Sequence, residues 1–236
     1  MTTYQGIFED ISGGRVLDVA TGSGGFIHIL IDNLKNFSEI IGIDTNERFV
    51  DVFNESFKDI PTIHFTNMDA AKMDFEDASF DMVCIANSIH HLDPQPVFIE
   101  MMRVLKMGGY FVVSEMYCDN QTETQMSHVL LHHWWAAVDR ANGIVHHETY
   151  QRSEIIKMIS NLGLSRVGWH DVSHLEDDPK SEEILQQLDP AIDRYIQRSA
   201  GHPDLQATGE ELRRRVLDVG FHGATNLIAV GIKDFS

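Results

Sequence analysis

Short apolar runs alternate along the chain with segments of helical periodicity. The runs are continuous and do not alternate with polar residues, which is typical of strands that are covered on both faces, as in a parallel sheet. Strands that alternate with helices in this way are joined by right-handed crossovers. The pattern therefore predicts an α/β fold, a doubly wound, seven-stranded and mostly parallel sheet whose ligands bind at the carboxyl ends of the strands.

The expected elements follow from these runs and from the turn residues between them. The predicted strands span residues 15–20, 39–44, 62–67, 80–87, 110–116, 164–172 and 226–233. Helices are predicted over residues 25–34, 46–57, 95–106 and 153–162, and Gly108 and Gly109 are expected to end the third of them. We expect no helix before the first strand, because few residues precede it.

Two stretches interrupt the alternation. Residues 117–150, the first insertion, are helical around VLLHHWWAAVDRA, and residues 175–222, the second insertion, read as two helices interrupted by Pro190 and by the AGHPD turn. Both follow the carboxyl end of a strand. We therefore expect helical lids that cover the ligand crevice within a single domain of residues 1–236, with Tyr195 on the covering face.

Charge and composition restrict the function. The chain has 36 acidic and 18 basic side chains, and its net charge of -18 would repel a phosphate backbone, so nucleic acid is not expected as a partner. Its two cysteines, Cys84 and Cys118, favour a reducing compartment. The first residues lack a basic segment followed by an apolar one, and no apolar run reaches the roughly 18 residues of a spanning helix. We expect a cytoplasmic protein that does not interact with membranes.

A glycine loop follows the first predicted strand, in the stretch VLDVATGSGGF at residues 16–26. Dinucleotide-binding domains use G-x-G-x-x-G, but here Ile27 occupies the third glycine position. Asp18 lies at the end of the strand, where a carboxylate would repel a diphosphate and attract a cation. A nicotinamide-dependent oxidoreductase is therefore a disfavoured alternative, and S-adenosylmethionine, with its ammonium and sulfonium groups, is the favoured ligand.

Five stretches together resemble the motifs of class I S-adenosylmethionine-dependent methyltransferases. VLDVATGSGGF resembles the first motif, with Ala20 where many members have glycine, and IIGIDTN resembles the second. TNMDAAKMDF, FDMVCIANSIHHL and VLKMGGYFVVSEM follow in the family's order. The resemblance covers about residues 15–116 and is to the members with small-molecule acceptors, with a core like that of the ubiquinone and menaquinone methyltransferases.

The resemblance implies S-adenosylmethionine as the cofactor and assigns each part of it to named residues. The methionine end is expected at Asp18, Ala20, Gly22 and Gly24, the ribose at Asp44, Thr45 and Asn46, the adenine at Asp69 and Ala70, and the transferable methyl beside Asn87.

Candidates for the chemical step follow the fourth strand. Methyl transfer is an in-line displacement that depends on alignment and exclusion of water, and a base is needed only if the acceptor must lose a proton. His90 and His91 are predicted to act as that base or to orient the acceptor, and Glu115 and Tyr117 are weaker candidates. The segment lacks the Asn-Pro-Pro-aromatic pattern, which argues against amide or nucleobase amino acceptors.

The first insertion is rich in histidine. His128 and His132 are four residues apart and would share a helix face, so they could bind a metal together with His147 or Glu148. We favour the alternative that the tryptophans are buried and the histidines lie at the solvent-exposed edge, and we assign no metal ligands. The adjacent pair Trp134 and Trp135 could form either an apolar wall for a planar or lipophilic acceptor or a homodimer interface.

We therefore expect methyl transfer from S-adenosylmethionine to a small-molecule acceptor. The alternative is a non-catalytic protein that binds S-adenosylmethionine or S-adenosylhomocysteine as a sensor or as an inactive partner. Turnover distinguishes the two, because the cofactor motifs concern binding only.

Overall fold

The computed structural model describes residues 2–175 and 177–234 and contains one seven-stranded sheet. The strand order is β3-β2-β1-β4-β5-β7-β6, and β7 is antiparallel to both of its neighbours. The predicted doubly wound, mostly parallel sheet is confirmed. The strands are β1 (Arg15–Val19), β2 (Glu39–Asp44), β3 (Ile63–Asn67), β4 (Phe80–Ala86), β5 (Leu105–Met116), β6 (Ser165–Val172) and β7 (Asn226–Ile232).

Helices cover both faces of the sheet and form the two insertions. They are α1 (Tyr4–Phe8), α2 (Gly25–Asn33), α3 (Val50–Ser56), α4 (Pro94–Val104), α5 (Glu123–Ala141), α6 (Arg152–Ser160), α7 (Glu182–Arg198) and α8 (Pro203–Val219). Short 3-10 helices span Glu47–Phe49 and Ile89–His91. Residue 176, in the second insertion, lies outside the described residues.

Three local expectations were wrong. Helix α1 precedes the first strand, because Thr3 caps it by accepting a hydrogen bond from the Gly6 amide at 3.2 Å and Phe8 is fully buried. Helix α7 continues through Pro190, where Arg213 of α8 forms ion pairs with Asp189 and Asp193 on either side of the proline.

The third difference concerns the two adjacent glycines. Gly108 and Gly109 lie inside β5 and do not end helix α4, because the chain becomes extended at Leu105. A Cβ atom at Gly109 would lie 2.8 Å from the Asp81 carbonyl oxygen, so the absence of a side chain lets the strand approach β4.

Alternate residues of β1 enter different halves of the core. Leu17 and Val19 belong to the cluster under α4 and α6, whereas Val16 belongs to the cluster under α1, α2 and α3. All three side chains are fully buried. Burial on both faces is what the continuous apolar run of β1 predicts.

The helices of the insertions have a separate apolar cluster. Trp134 of α5 packs with Ile192 of α7 and Leu212 of α8, and its indole N–H donates to the Leu205 carbonyl at 2.8 Å. Helix α8 approaches closely because Gly209 has no side chain, as a Cβ there would lie 2.4 Å from the Trp134 ring. The two insertions therefore pack against each other through α5, α7 and α8.

The sheet order places a crevice where the winding direction reverses. Strand β1 lies between β2 and β4, so the loops that follow β1 and β4 leave the sheet towards opposite faces. The residues predicted to bind the cofactor follow β1, β2, β3 and β4, so the fold brings them to the same edge of the sheet.

The backbone conformation at the start of α2 requires a glycine at position 24. Its φ is 87°, and a Cβ there would lie 2.4 Å from the Phe57 ring. We expect Gly24→Ala to lower the free energy of unfolding by about 1–3 kcal/mol, because a left-handed backbone and a close contact are both strained.

Gly25 is the matched control, since a Cβ at that position meets no atom within 4 Å. We expect Gly25→Ala to leave the stability within about 1 kcal/mol of the original, in the stabilising direction. Urea unfolding followed by circular dichroism measures both, and equal stabilities of the two variants would contradict the role given to Gly24.

Candidate functional site

A large cavity of about 790 Å³ lies at the carboxyl ends of the strands. A small cavity of about 350 Å³ adjoins it, and Ala20, Gly22 and Asn87 line both. Eight of the residues predicted to bind the cofactor line the large cavity, and they are Ala20, Gly22, Asp44, Thr45, Asn46, Asp69, Ala70 and Asn87. Asp18 lines the small cavity. Gly24 lines neither; it lies at the start of α2 against Phe53 and Phe57.

The carboxylate of Asp44 connects the loops that follow β1 and β2. One oxygen accepts a hydrogen bond from the Gly22 amide at 3.0 Å and the other accepts one from the Asn46 amide at 2.8 Å. Gly22 has a left-handed backbone with a φ of 55°, which turns its amide towards Asp44 without steric cost. The carboxylate is half-buried at the cavity wall, with acceptor capacity left for a ligand.

The carboxyl group of Asp18 is buried near the carboxyl end of β1, and the residue is 1% exposed. Its oxygens accept hydrogen bonds from the Thr21 hydroxyl at 2.6 Å and the Cys84 thiol at 3.4 Å. Burial raises the pKa of Asp18 to about 6, and the hydrogen bonds from Thr21 and Cys84 oppose the shift. A cation bound in the small cavity would favour the ionised form.

The two cavities have an acidic lining. Asp18, Asp44, Asp69 and Asp93 line them, and among the lining residues that the structure describes there is no lysine or arginine. This lining favours a cationic ligand and disfavours a diphosphate, as the sequence predicted.

Glu115 is fully buried at the end of β5 and binds the turn after β4 from the protein interior. One oxygen of Glu115 accepts hydrogen bonds from the Ser88 and Ile89 amides, each at 3.1 Å. The other lies 2.6 Å from Nδ1 of His90. Because a carboxylate only accepts hydrogen bonds, the His90 ring donates from Nδ1, and in the neutral ring the lone pair lies on Nε2.

The two predicted catalytic histidines face different surroundings. His91 is exposed and lines the large cavity. Partial enclosure of its ring, with the neighbouring His90 and His146, lowers the pKa of His91 to about 3, so the ring is neutral at pH 7. His90 is 1% exposed and points into the protein, next to residues of the first insertion.

His132 and His146 of the first insertion do not lie at a solvent-exposed edge, contrary to our expectation, whereas His147 is exposed. His132 and His146 are 8% and 3% exposed and contact the His90 ring, with centroid distances of 4.6 and 5.7 Å. Burial lowers the pKa of His132 to about 2. His128, one turn earlier, accepts a hydrogen bond from the Ala224 amide through Nδ1. The sequence indicated neither His90 nor His146 as a neighbour of His132, because both lie outside α5 and only tertiary packing brings them to it.

The cavity wall on the insertion side consists of Ile144, Val145 and Tyr195. Ile144 and Val145 are 48% and 61% exposed, and two exposed apolar residues in sequence are the signal that could have identified them. The Trp134 ring forms neither a cavity wall nor an intermolecular surface, because helices α7 and α8 cover it and leave 3% exposed.

The comparisons with known proteins agree with this geometry. Residues 17–113 match the sequence model of a family described as a methyltransferase domain. The demethylmenaquinone methyltransferase of Staphylococcus haemolyticus is 35% identical over 104 residues, which are 44% of this chain and 44% of that protein. Residues 17–113 of this chain are therefore similar to a methyltransferase domain.

Solved structures extend the similarity of fold beyond the matched residues. The YcgJ protein from Bacillus subtilis has a TM-score of 0.61 at 19% identity, covering 98% of this chain and 96% of that one. Phosphoethanolamine N-methyltransferase 2 of Haemonchus contortus, in complex with S-adenosyl-L-methionine, has a TM-score of 0.58 at 18% identity, covering 95% and 49%.

The alignment spans less than half the length of the curated relatives. The match to the methyltransferase domain ends before the first insertion, so the residues of the insertions that line the cavity lie outside it. Over the described ranges, no helix combines the length and apolarity needed to cross a membrane.

The shifted pKa of Asp18 predicts an effect of pH on stability. The folded protein holds this proton up to about pH 6, whereas the unfolded chain releases it near the ordinary aspartate pKa of 3.8. The folded state therefore binds more protons between these values, and the contribution of Asp18 to the free energy of unfolding falls by roughly 3 kcal/mol as the pH rises through them.

Urea unfolding of the ligand-free protein and of Asp18→Asn, from about pH 4 to about pH 7, measures this contribution as the difference between the two pH profiles. Parallel profiles would show that Asp18 titrates at its ordinary pKa.

Proposed function

We propose that the protein is an enzyme that transfers a methyl group from S-adenosylmethionine to a small-molecule acceptor by in-line displacement. The observation that carries the proposal is the acidic cavity that begins at the glycine loop and includes Asp44 and Asp69. The match to a methyltransferase domain over residues 17–113 supports it. The cofactor supplies an electrophilic methyl group on a cationic sulfur, and the protein supplies binding and alignment.

The residues present fit this cofactor. The buried carboxyl of Asp18 suits an ammonium group, and the left-handed turn at Gly22 leaves room because a Cβ there would lie 4.0 Å from Phe49. Asp44 has free acceptor capacity for the ribose hydroxyls. Asp69 lines the same cavity and is proposed to accept the adenine amino group, and Asn87 is proposed to lie near the transferable methyl.

The acceptor is proposed to be a small molecule with an apolar body and no negative charge. Leu92, Pro96 and Val97 line the large cavity from the core, and Ile144 and Val145 line it from the first insertion. An anionic acceptor would face the acidic lining described above. Both insertions contribute residues to this wall, which supports the proposal that they are lids of a single domain.

His91 is the better placed of the two histidines proposed to act on the acceptor. His91 lines the large cavity, whereas His90 donates its Nδ1–H to Glu115 and faces the interior. With a pKa of about 3, His91 is a weak base at neutral pH, so we propose that it orients the acceptor. The proposal for His90 is a positioning role through the turn after β4.

Asp44→Ala tests the cofactor site. We expect at least ~100-fold weaker binding of S-adenosylmethionine, because two charge-assisted hydrogen bonds of about 1.5–3 kcal/mol each are lost. Isothermal titration calorimetry measures the dissociation constant. Asp51→Ala, at an exposed position in the first turn of α3, is the matched control and should bind like the original protein. Equal affinities of both variants would exclude Asp44 from the site.

Turnover separates the enzyme from a protein that only binds the cofactor. We expect S-adenosylhomocysteine to form when the protein is incubated with S-adenosylmethionine and neutral apolar acceptors carrying hydroxyl, amino or thiol groups, because the cavity has room for both molecules. Mass spectrometry detects both products. Binding that depends on Asp44 without turnover for any acceptor class would favour a sensor or an inactive partner.

A further inference from the structure

Four histidines from three separate segments meet beside the large cavity. His90 and His91 come from the turn after β4, His132 comes from α5, and His146 comes from the loop after α5. We call this group the histidine cluster. Each ring lies near the others, with centroid distances of 4.1 Å between His91 and His146 and 4.9 Å between His132 and His146.

Ring nitrogens of all four histidines of the cluster lie close together. One nitrogen of each ring lies within 4.8 Å of the corresponding nitrogen of every other ring. Nε2 of His90, Nδ1 of His132 and Nε2 of His146 are buried and, within the described part of the chain, have no hydrogen-bond partner. Buried polar atoms are normally paired, so three unpaired nitrogens on rings of one cluster suggest a shared partner.

Carboxylates set the proton positions of two of these rings. The Nδ1–H of His90 donates to Glu115 at 2.6 Å, and the Nδ1–H of His146 donates to Asp139 at 2.7 Å. Asp139 is held in turn by Arg198 and by the Tyr195 hydroxyl. In the neutral form of both rings, which is the form that binds a metal, the lone pair therefore lies on the unpaired Nε2. Metal-binding histidines are oriented by carboxylates in this same way.

We propose that the histidine cluster binds one divalent transition-metal ion of the zinc type. His90, His132 and His146 form the buried part of the site, and His91 completes it from the side of the cavity. Neutral imidazoles are ligands for zinc, copper, nickel and iron, and four ligands suit the tetrahedral geometry of zinc. A bond length of about 2.0–2.1 Å requires the rings to move slightly closer together than they lie without the ion.

The bound ion would connect the first insertion to the part of the chain that matches the methyltransferase domain. His90 belongs to the core turn held by Glu115, and His146 follows directly after the wall residues Ile144 and Val145. A hydrogen bond from the His147 amide to the His90 carbonyl, at 2.8 Å, already joins the same two segments. Metal binding would therefore hold the wall of the large cavity against the turn that carries His91.

Metal binding by the purified protein tests the proposal, and any histidine tag must be removed first because it would bind zinc itself. The protein is stripped with a chelator, dialysed and titrated with Zn²⁺ against a chromogenic chelator. We expect one tightly bound Zn²⁺ per chain and a higher Tm in its presence. Titration with Co²⁺ should give the strong visible absorption of a tetrahedral site.

Variants locate the ion. His132→Gln should remove tight Zn²⁺ binding, whereas His133→Gln, one residue further along the same helix, should retain it because His133 bonds Thr149 outside the cluster. Glu115→Gln should weaken binding by about 10–100-fold, since an orienting carboxylate is replaced. Circular dichroism and the Tm of each variant establish that it is folded.

Three results would overturn the proposal. They are the absence of stoichiometric Zn²⁺ binding by the folded original protein, equal Zn²⁺ affinities in His132→Gln and His133→Gln, and a Co²⁺ complex with the weak absorption of an octahedral, solvent-exposed site. If His132→Gln does not fold, the stoichiometry and the Co²⁺ spectrum of the original protein decide alone. These measurements do not depend on methyl transfer, so their failure would leave the proposed function standing.

Discussion

The carboxylate of Glu115 is the interaction on which the geometry of the site depends. It is fully buried at the end of β5, where it binds two amides of the turn after β4 and the ring of His90. Three charge-assisted hydrogen bonds offset the cost of burying a charge that no lysine or arginine among the described residues neutralises. That turn carries Ser88 and His91 into the large cavity. One buried acid thus connects the central sheet, the cavity and the histidine cluster.

Electrostatics and shape divide the large cavity into two parts. At the strand ends the lining is acidic, and it includes the buried carboxyl group of Asp18, whose pKa is raised by burial. On the side of the insertions the lining is apolar, with Ile144 and Val145 partly exposed. The acidic residues at the strand ends and the exposed apolar residues of the first insertion therefore lie on different walls of the large cavity.

Local patterns predicted the sheet and indicated residues that line the cavities, because both depend on short segments. The apolar run of β1 is buried on both faces, and Asp44 is the last residue of β2 at the sheet edge, so neither required knowledge of distant contacts. The histidine cluster was not predictable in the same way. Its members are separated by up to 56 residues in the sequence, and only tertiary packing brings His146 to His90. The prediction that Pro190 interrupts the helix was wrong for a similar reason, because the ion pairs beside this proline in α7 are formed with Arg213 of α8.

The position of β7 in the sheet has a consequence for the order of folding. It pairs with β5 on one side and with β6 on the other, and the partners Met116 and Asn226 are 110 residues apart in the chain. Strand β6 has β7 as its neighbour and lies at the edge of the sheet. During synthesis, the backbone groups of β5 and β6 that face β7 therefore stay unpaired until residues 226–232 have left the ribosome. The five parallel strands can associate earlier, but the sheet is completed only at that late stage, when contacts of high sequence separation form.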